Sequence, residues 1–253
     1  KKYLFKDTRY FFLYSYRYFQ NNYSNNCNFY SEKEIANLLV EGKSLIRIGD
    51  GEIGLIHFLP ICYQVYSKEI RNDFLKIINS YNDNLKFIIM IPLFVNYTNV
   101  ELKKINRFQC FMPLKITYEL IFNKKAHYFD QHFFYKDGNF ERLILPYIKN
   151  KKVIIITNKK NAVGIKNSPL SSSEFEYIIC NDENTYESKS EIQNNLIDLI
   201  DKYRLPKDKF VVLASMGLAK TIIFDLSREG YQILDIGKGL ESYYLQKSIQ
   251  NLI

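Results

Sequence analysis

What the sequence lacks narrows it first. It has no tryptophan and only three histidines, His57, His127 and His132. A His-rich metal centre is therefore excluded, and a metal here needs carboxylate oxygens. The four cysteines, Cys27, Cys62, Cys110 and Cys180, form no C-x-x-C pair. So few in so long a chain make no disulfide framework and read as reduced thiols. Cys62 and Cys180 stand among apolar neighbours and read as small buried residues. Ten Gly and six Pro exclude collagen-like and linker-dominated architectures. No apolar run reaches the roughly 18 residues that span a bilayer. The longest, residues 87–95, is broken by Pro92. No signal peptide is visible. Acidic residues are in deficit too, 27 against 35 Lys and Arg, for a net charge of +8. That balance favours anionic partners: phosphorylated small molecules, lipid headgroups or nucleic acid. The basic residues are scattered and carry no RNP, zinc-finger or helix-turn-helix signature, so nucleic acid is not expected.

What is present is globular, with 47% hydrophobic and 25% charged residues. Residues 1–30 stand apart as an aromatic and basic segment, in which Tyr10, Phe11, Phe12, Tyr14, Tyr16, Tyr18 and Phe19 alternate with Lys6, Arg9 and Arg17. Two readings fit: a helix packing its aromatics on the domain, or an interfacial segment meeting a membrane surface or partner. Residues 31–253 read as a single domain. Short runs rich in Ile and Val at 45–48, 86–91, 153–157, 177–180, 210–214 and 232–236 do not alternate polar with apolar, so they are strands buried on both faces. Helical spacing fills the intervals. Ile70, Phe74, Ile77, Ile78 and Tyr81 predict a helix over 67–81, and Ile192, Leu196, Leu199, Ile200 and Tyr203 predict another. Ser188 with Glu191 reads as a capping box for the latter, as Ser31 with Glu34 does for an earlier helix stopped by Gly42. Pro113 is expected to open a helix to about residue 123, Pro146 to interrupt one over 140–148, and Gly230 to cap one over 218–226. Strand and helix in alternation predict an α/β, Rossmann-like fold: a mostly parallel sheet with helices on both faces. Ligands of such folds lie at the carboxyl ends of the strands.

Four segments follow strands. Arg47-Ile48-Gly49-Asp50-Gly51-Glu52 presents two carboxylates beside a glycine-permitted turn, a pair able to share a hard cation or to complement a helix N-terminus. Ser215-Met216-Gly217 leads into a helix containing Lys220 and Thr221, whose free N–H groups suit a phosphate. The G-x-x-x-x-G-K spacing of a P-loop is absent, so ATP hydrolysis of that kind is not expected. Asp235-Ile236-Gly237-Lys238-Gly239-Leu240-Glu241 ends another strand in a Gly-rich turn. Residues 157–167, with Asn161, Gly164 and Asn167, read as a polar, basic loop.

These pieces, in this order, resemble the bacterial glycosyltransferases of the GT-D fold over about residues 31–245. The Arg47–Glu52 segment and the run Gly230-Tyr231-Gln232-Ile233-Leu234-Asp235-Ile236-Gly237 carry the resemblance. It implies transfer of a sugar from a nucleotide-diphosphate donor, a UDP-sugar first, to a growing bacterial surface glycan, glycoprotein or lipid-linked glycan. It also implies a divalent metal, Mn²⁺ or Mg²⁺, at Asp50 and Glu52. Arg47, Gly49, Gly51, Ser215, Gly217, Thr221 and Lys238 become candidates for the nucleotide and phosphate. Asn161, Gly164, Asn167 and Asp235 become candidates for the donor or acceptor. Glu241 is the candidate base, because a lysine at 238 starts near pKa 10.4 and suits an anion better than proton abstraction. The chain departs from the family's pattern at Thr157-Asn158, Asn161-Ala162, Lys166, Leu218-Ala219 and Lys238. The alternatives are a nucleotide-binding module without turnover and a transferase of a non-sugar group. The expected setting is the cytoplasm, with peripheral association at the inner face of the membrane.

Overall fold

A computed structural model describes residues 8–136, 138–166, 175–217, 219–239 and 241. In chain order they form α1 (Thr8–Tyr18), β1 (Asn28–Phe29), α2 (Glu32–Val40), β2 (Ser44–Arg47), α3 (Asp50–Ile56) and α4 (Lys68–Ser80). Then come β3 (Phe87–Ile91), α5 (Asn99–Lys104), α6 (Phe108–Ile121), β4 (His127–Asp130), α7 (Asn139–Ile148) and β5 (Lys152–Asn158). The series closes with α8 (Lys159–Lys166), β6 (Glu176–Cys180), α9 (Lys189–Tyr203), β7 (Phe210–Ser215), α10 (Ala219–Arg228) and β8 (Ile233–Asp235). The chain divides into two compact units, Lys1–Ser31 with Ile48–Gln131, and Glu32–Arg47 with His132–Ile253. The class is α/β, as its alternating pattern predicts, and every strand register is parallel. Among the described residues no helix is long and apolar enough to cross a membrane.

In the first unit the strands run β1-β4-β3. All five residues of β3 are buried, which is why it reads as an unbroken apolar run. Ser67 caps α4 by accepting from the Ile70 N–H at 3.2 Å, and Ile70, Phe74, Ile77 and Ile78 form its buried stripe. Helix α6 does not open at Pro113. It begins at Phe108 and carries the proline inside, because burial of Phe108, Phe111 and Met112 outweighs the one lost backbone bond. Cys62 is exposed rather than buried, since it lies in the short turn between Ile61 and Gln64, outside any element.

The residues before β1 are tied to α6 by buried polar groups. Lys115 is fully buried. Its ammonium donates to Tyr23 O at 2.7 Å, Tyr97 O at 2.6 Å and Asn99 Oδ1 at 3.1 Å. It also lies 4.5 Å from the Tyr23 ring centroid. Asn25 Nδ2 donates back to Lys115 O at 2.9 Å. Arg17 pairs with Glu119 through two N–H donors, at 2.7 and 3.2 Å. Tyr10 is buried, its ring 4.3 Å from that of His57. The packing reading of this segment thus holds for one face of α1.

In the second unit the strands run β2-β8-β7-β5-β6. Leu45 pairs with Leu234, Ala214 with Asp235 and Thr157 with Ser215. All five carboxyl ends therefore share one edge. Gly42 and Gly230 close their helices with φ of +83° and +91°, and Pro146 sits inside α7 without ending it. The stretch after β5 is the helix α8 and not a loop. Asn158 Oδ1 accepts from the Asn161 N–H at 2.8 Å as an N-cap, and Ala162 and Ile165 are buried. The capping box at Ser188 does not form. A 3₁₀ turn, Thr185–Ser188, runs straight into α9, so Ser188 already has near-helical backbone and makes no side-chain cap.

Lys115→Met tests the first unit. The variant leaves buried oxygens without a donor and is expected to lose about 3 kcal/mol in urea unfolding. Burial, the largest influence, lowers the Lys115 pKa to about 8. The unfolded value is about 10.4, so the folded state sheds this proton first. Its contribution to stability is complete at high pH and is lost as pH falls through 8. The gap between wild type and variant should accordingly be wider at about pH 9.5 than at about pH 7. A gap that narrows would mean that the cage of oxygens outweighs burial.

Candidate active site

In the first unit, the acidic turn opens α3. Asp50 is exposed at its first position, whereas Glu52 is only 4% exposed. Glu52 Oε2 accepts from the Gly49 N–H at 2.8 Å, satisfying an N–H that the helix itself cannot. Residues two apart on a helix do not face one another, so the turn does not aim its carboxylates at a common point. Gly49 is tight, with an added Cβ 3.0 Å from Gln131 Oε1. Gly51 is tight against Tyr63, whose Oη would lie 3.3 Å from such a Cβ.

A small cavity of about 120 Å³ adjoins Asp50, lined also by Gly54, His57, Cys110 and Pro113. Thr117 Oγ1 donates to Pro113 O at 2.8 Å, so toward the ring nitrogen 2.7 Å away it can only accept. With the hydroxyl proton used in that way, the contact is a hydrogen bond for the His57 tautomer that carries its proton on Nε2. Sequence reasoning gave His57 no role, although Asp50, Ile53, Gly54 and His57 recur at one-face helical spacing.

Among the described residues no group of three or more His, Cys, Asp or Glu could hold a metal. A cation caged by protein alone does not fit. An ion that keeps its waters and takes one or two carboxylates plus diphosphate oxygens does fit the exposed Asp50.

In the second unit, the strand ends gather a different set. Asp235, the last residue of β8, has no exposed surface. Its carboxylate lies 3.4 Å from Arg47 N, 3.1 Å from Gly237 N and 3.6 Å from Lys220 Nζ. Arg47 Nη1 is 4.0 Å away, and the guanidinium lies 5.4 Å from the Tyr135 ring centroid. Burial raises the Tyr135 pKa, so the phenol stays protonated beside it. Lys220 Nζ also donates to Gly217 O at 2.7 Å, and Ser215 Oγ donates to Gly237 O at 2.6 Å. Two cations thus attend one carboxylate at the edge where the five strands end. The surplus positive charge suits an anion. The sequence reading selected Arg47, Ser215, Gly217 and Asp235 here but passed over Lys220.

Other candidates lie differently. Thr221 is buried within α10, Lys238 is exposed with its N–H 3.5 Å from Tyr135 Oη, and Glu241 is half-buried. Asn161 and Gly164 are on α8. Asn167 lies outside the described residues.

The family model of the glycosyltransferase GT-D fold matches residues 45–249, a span that contains both sets. The chain belongs to this family. A relative from Streptococcus gordonii, named "Probable glycosyl transferase Gly", is 23% identical over 219 residues. The match covers 81% of this chain and 31% of that protein, so the chain spans about a third of the relative's length. A solved structure from Streptococcus sanguinis, described as a new glycosyltransferase (DUF1792), superposes with a TM-score of 0.70 at 22% identity, over 88% of this chain and 86% of that one. A second, described as a domain of unknown function 1792 with a distinct glycosyltransferase fold, has a TM-score of 0.70 at 18% identity, over 94% and 86%. These likenesses show a shared fold.

In this GT-D chain the Gly237 turn is built around Arg47. Gly237 has φ +50°, and an added Cβ would overlap the guanidinium and lie 2.7 Å from Tyr135 Oη. Gly230 has φ +91° as well, but its nearest neighbour would be the flexible Lys207 Cδ at 3.9 Å. Gly230→Ala is expected to cost only the left-handed strain, about 1–2 kcal/mol. Gly237→Ala should cost that strain and displace Arg47 besides, giving a larger drop in the denaturation midpoint. Equal losses would mean that Arg47 has no fixed place against the turn.

Proposed function

We propose that the chain is a metal-dependent glycosyltransferase. It moves a sugar from a nucleoside-diphosphate donor, a UDP-sugar first, to a bacterial surface glycan, glycoprotein or lipid-linked glycan on the cytoplasmic side of the membrane. The observation that carries this reading is the pair of cations around buried Asp235 at the carboxyl ends of parallel strands, in a member of the GT-D family.

In the transfer, the bond from the anomeric carbon to the diphosphate oxygen breaks and one to an acceptor hydroxyl oxygen forms. Negative charge grows on the departing diphosphate, and a fixed cation aimed at it lowers the barrier. Arg47 takes that role, held by Asp235 and Tyr135. The free N–H groups of the turn from Ser215 to Thr221 contact the phosphates, with Gly217 leaving room for them. A divalent ion held by Asp50, with Glu52 shaping the turn behind it, would supply Lewis acidity toward the leaving group. Lys238, exposed in the Gly-rich turn, meets an anionic group of donor or acceptor. Glu241 takes the acceptor's proton.

The test is release of sugar and nucleotide from a panel of nucleotide sugars, with and without Mn²⁺. Asp50→Asn should lower kcat by about 10²-fold or more with the fold intact, in line with loss of a group that stabilises transition-state charge. Arg47→Lys should weaken nucleotide binding as well, because a lysine cannot reproduce the planar donor fork. Full activity after thorough chelation would sink the metal reading. Nucleotide affinity without sugar release, whatever the sugar, would make the chain a binding module instead.

A further inference from the structure

Helix α1 is amphipathic twice over. Its inner face is committed within the first unit: Tyr10 is buried, Arg17 pairs with Glu119, and the Tyr18 ring lies 5.0 Å from that of Phe108. Its outer face is aromatic. Phe12 and Tyr16, at i and i+4 on the helix, and Phe19, just past its end, are 70%, 63% and 81% exposed, and Phe11 beside them is 47% exposed. Contiguous exposed aromatics of this kind on a soluble surface mark an interaction site.

The charge around this stripe is one-sided. Residues 8–20 contain no acidic residue; of their two arginines, Arg17 is paired inward with Glu119, which leaves Arg9 as the cation that α1 adds to the charge here. The corner reached through Phe108 adds Lys103, Lys104 and Arg107, all exposed. Lys103 Nζ stands 5.1 Å from the Phe108 ring centroid, which ties this corner to the C-terminal end of α1. Ile105 is exposed between these cations, and Glu101 on the same helix is the acidic residue set against them.

We infer that the outer face of α1, with the corner at Lys103, Lys104 and Arg107, is a docking surface for an anionic lipid bilayer. Aromatic rings settle at the level of the headgroups, and flanking cations are drawn to anionic lipid. The helix is already ordered by its inner face, so binding does not have to fold it. A second copy of the chain is the poorer occupant, because a two-fold contact would set like cations against one another. The surface shares no residue with the donor-binding set, and the inference does not rest on the transferase reading.

The experiment is co-sedimentation of the full chain with vesicles of phosphatidylcholine alone and of about three parts phosphatidylcholine to one part phosphatidylglycerol. Removal of residues 1–25 is unsuitable, since Arg17, Tyr23 and Asn25 hold the first unit together. The triple variant Phe12→Ser, Tyr16→Ser, Phe19→Ser alters exposed side chains and should keep the fold by circular dichroism. The wild type is expected to prefer the anionic vesicles and to lose binding as salt rises to about 0.5 M. The triple variant, and separately Lys103→Glu with Lys104→Glu, should each bind at least about tenfold less. Nucleotide affinity should be unchanged in both, which separates failure here from failure of the donor site. Vesicle binding equal to wild type in either variant overturns the proposal. So does a wild type that ignores both vesicles, or one whose oligomeric state, rather than its lipid binding, responds to the triple variant.

Discussion

The second unit is organised by one demand, that a carboxylate without access to water must be compensated on every side. Asp235 meets it with two backbone N–H groups and two cationic side chains. Each partner then constrains something else. The amide of Gly237 reaches the carboxylate only because the chain turns with φ +50°, and that turn leaves no room for a side chain beside Arg47. The Lys220 ammonium bonds to both Asp235 and Gly217 O, which fastens the start of α10 to the end of β8. Ser215 closes the ring by donating to Gly237 O. Three strand ends, β2, β7 and β8, are thereby held in register by polar contacts as well as by the ladder. A buried charge network of this kind adds little net stability compared with a well-packed apolar equivalent. What it does is position a guanidinium at the carboxyl edge of the strands.

The first unit solves the converse problem. Its buried charge is a cation, Lys115, and each N–H of the ammonium has an oxygen acceptor: two backbone carbonyls and one side-chain amide. The acceptors come from residues 23, 97 and 99, so one side chain of α6 holds the chain before β1 and the chain before α5 together. Here the charge is consumed by structure. In the second unit two cations attend a single carboxylate, which leaves positive potential for a ligand. This difference in balance, more than burial, separates a structural ion from one suited to a substrate.

Much of this was legible in the sequence, and the failures have physical causes. Strands such as β3 and β5 could be read because burial on both faces makes them continuous apolar runs. Helix α4 could be read because its stripe is clean and Ser67 caps it. Helix α8 was missed because Lys159 and Lys160 occupy its first turn, where the helix dipole disfavours cations, while the cap that compensates them is the last residue of the preceding strand. Pro113 misled because proline favours first turns, yet the apolar residues before it are buried and carry the helix past it. Within the site, Arg47, Asp235 and the glycines stood out by their motif. Lys220 did not, because its importance comes from a contact with a residue fifteen positions away, on another element. The tautomer of His57 likewise depends on the Thr117 hydroxyl sixty positions on.

The acidic turn shows how far closeness in sequence can mislead about geometry. Asp50 and Glu52 read as a matched pair because they are close in sequence and flanked by glycine. Folding divides them. Glu52 turns back to the Gly49 N–H and takes the role of an N-terminal helix acid, with almost no exposed surface. Asp50, on the same turn, is left facing solvent beside the cavity that His57 and Cys110 line. The glycines are what make the division possible. A side chain at 49 would press on Gln131 and lie in contact with the Glu52 carboxylate, and one at 51 would press on Tyr63. One carboxylate therefore fixes the turn and the other is presented by it. Two acids two positions apart thus meet different surroundings, one buried against the backbone of its own turn and the other open to solvent.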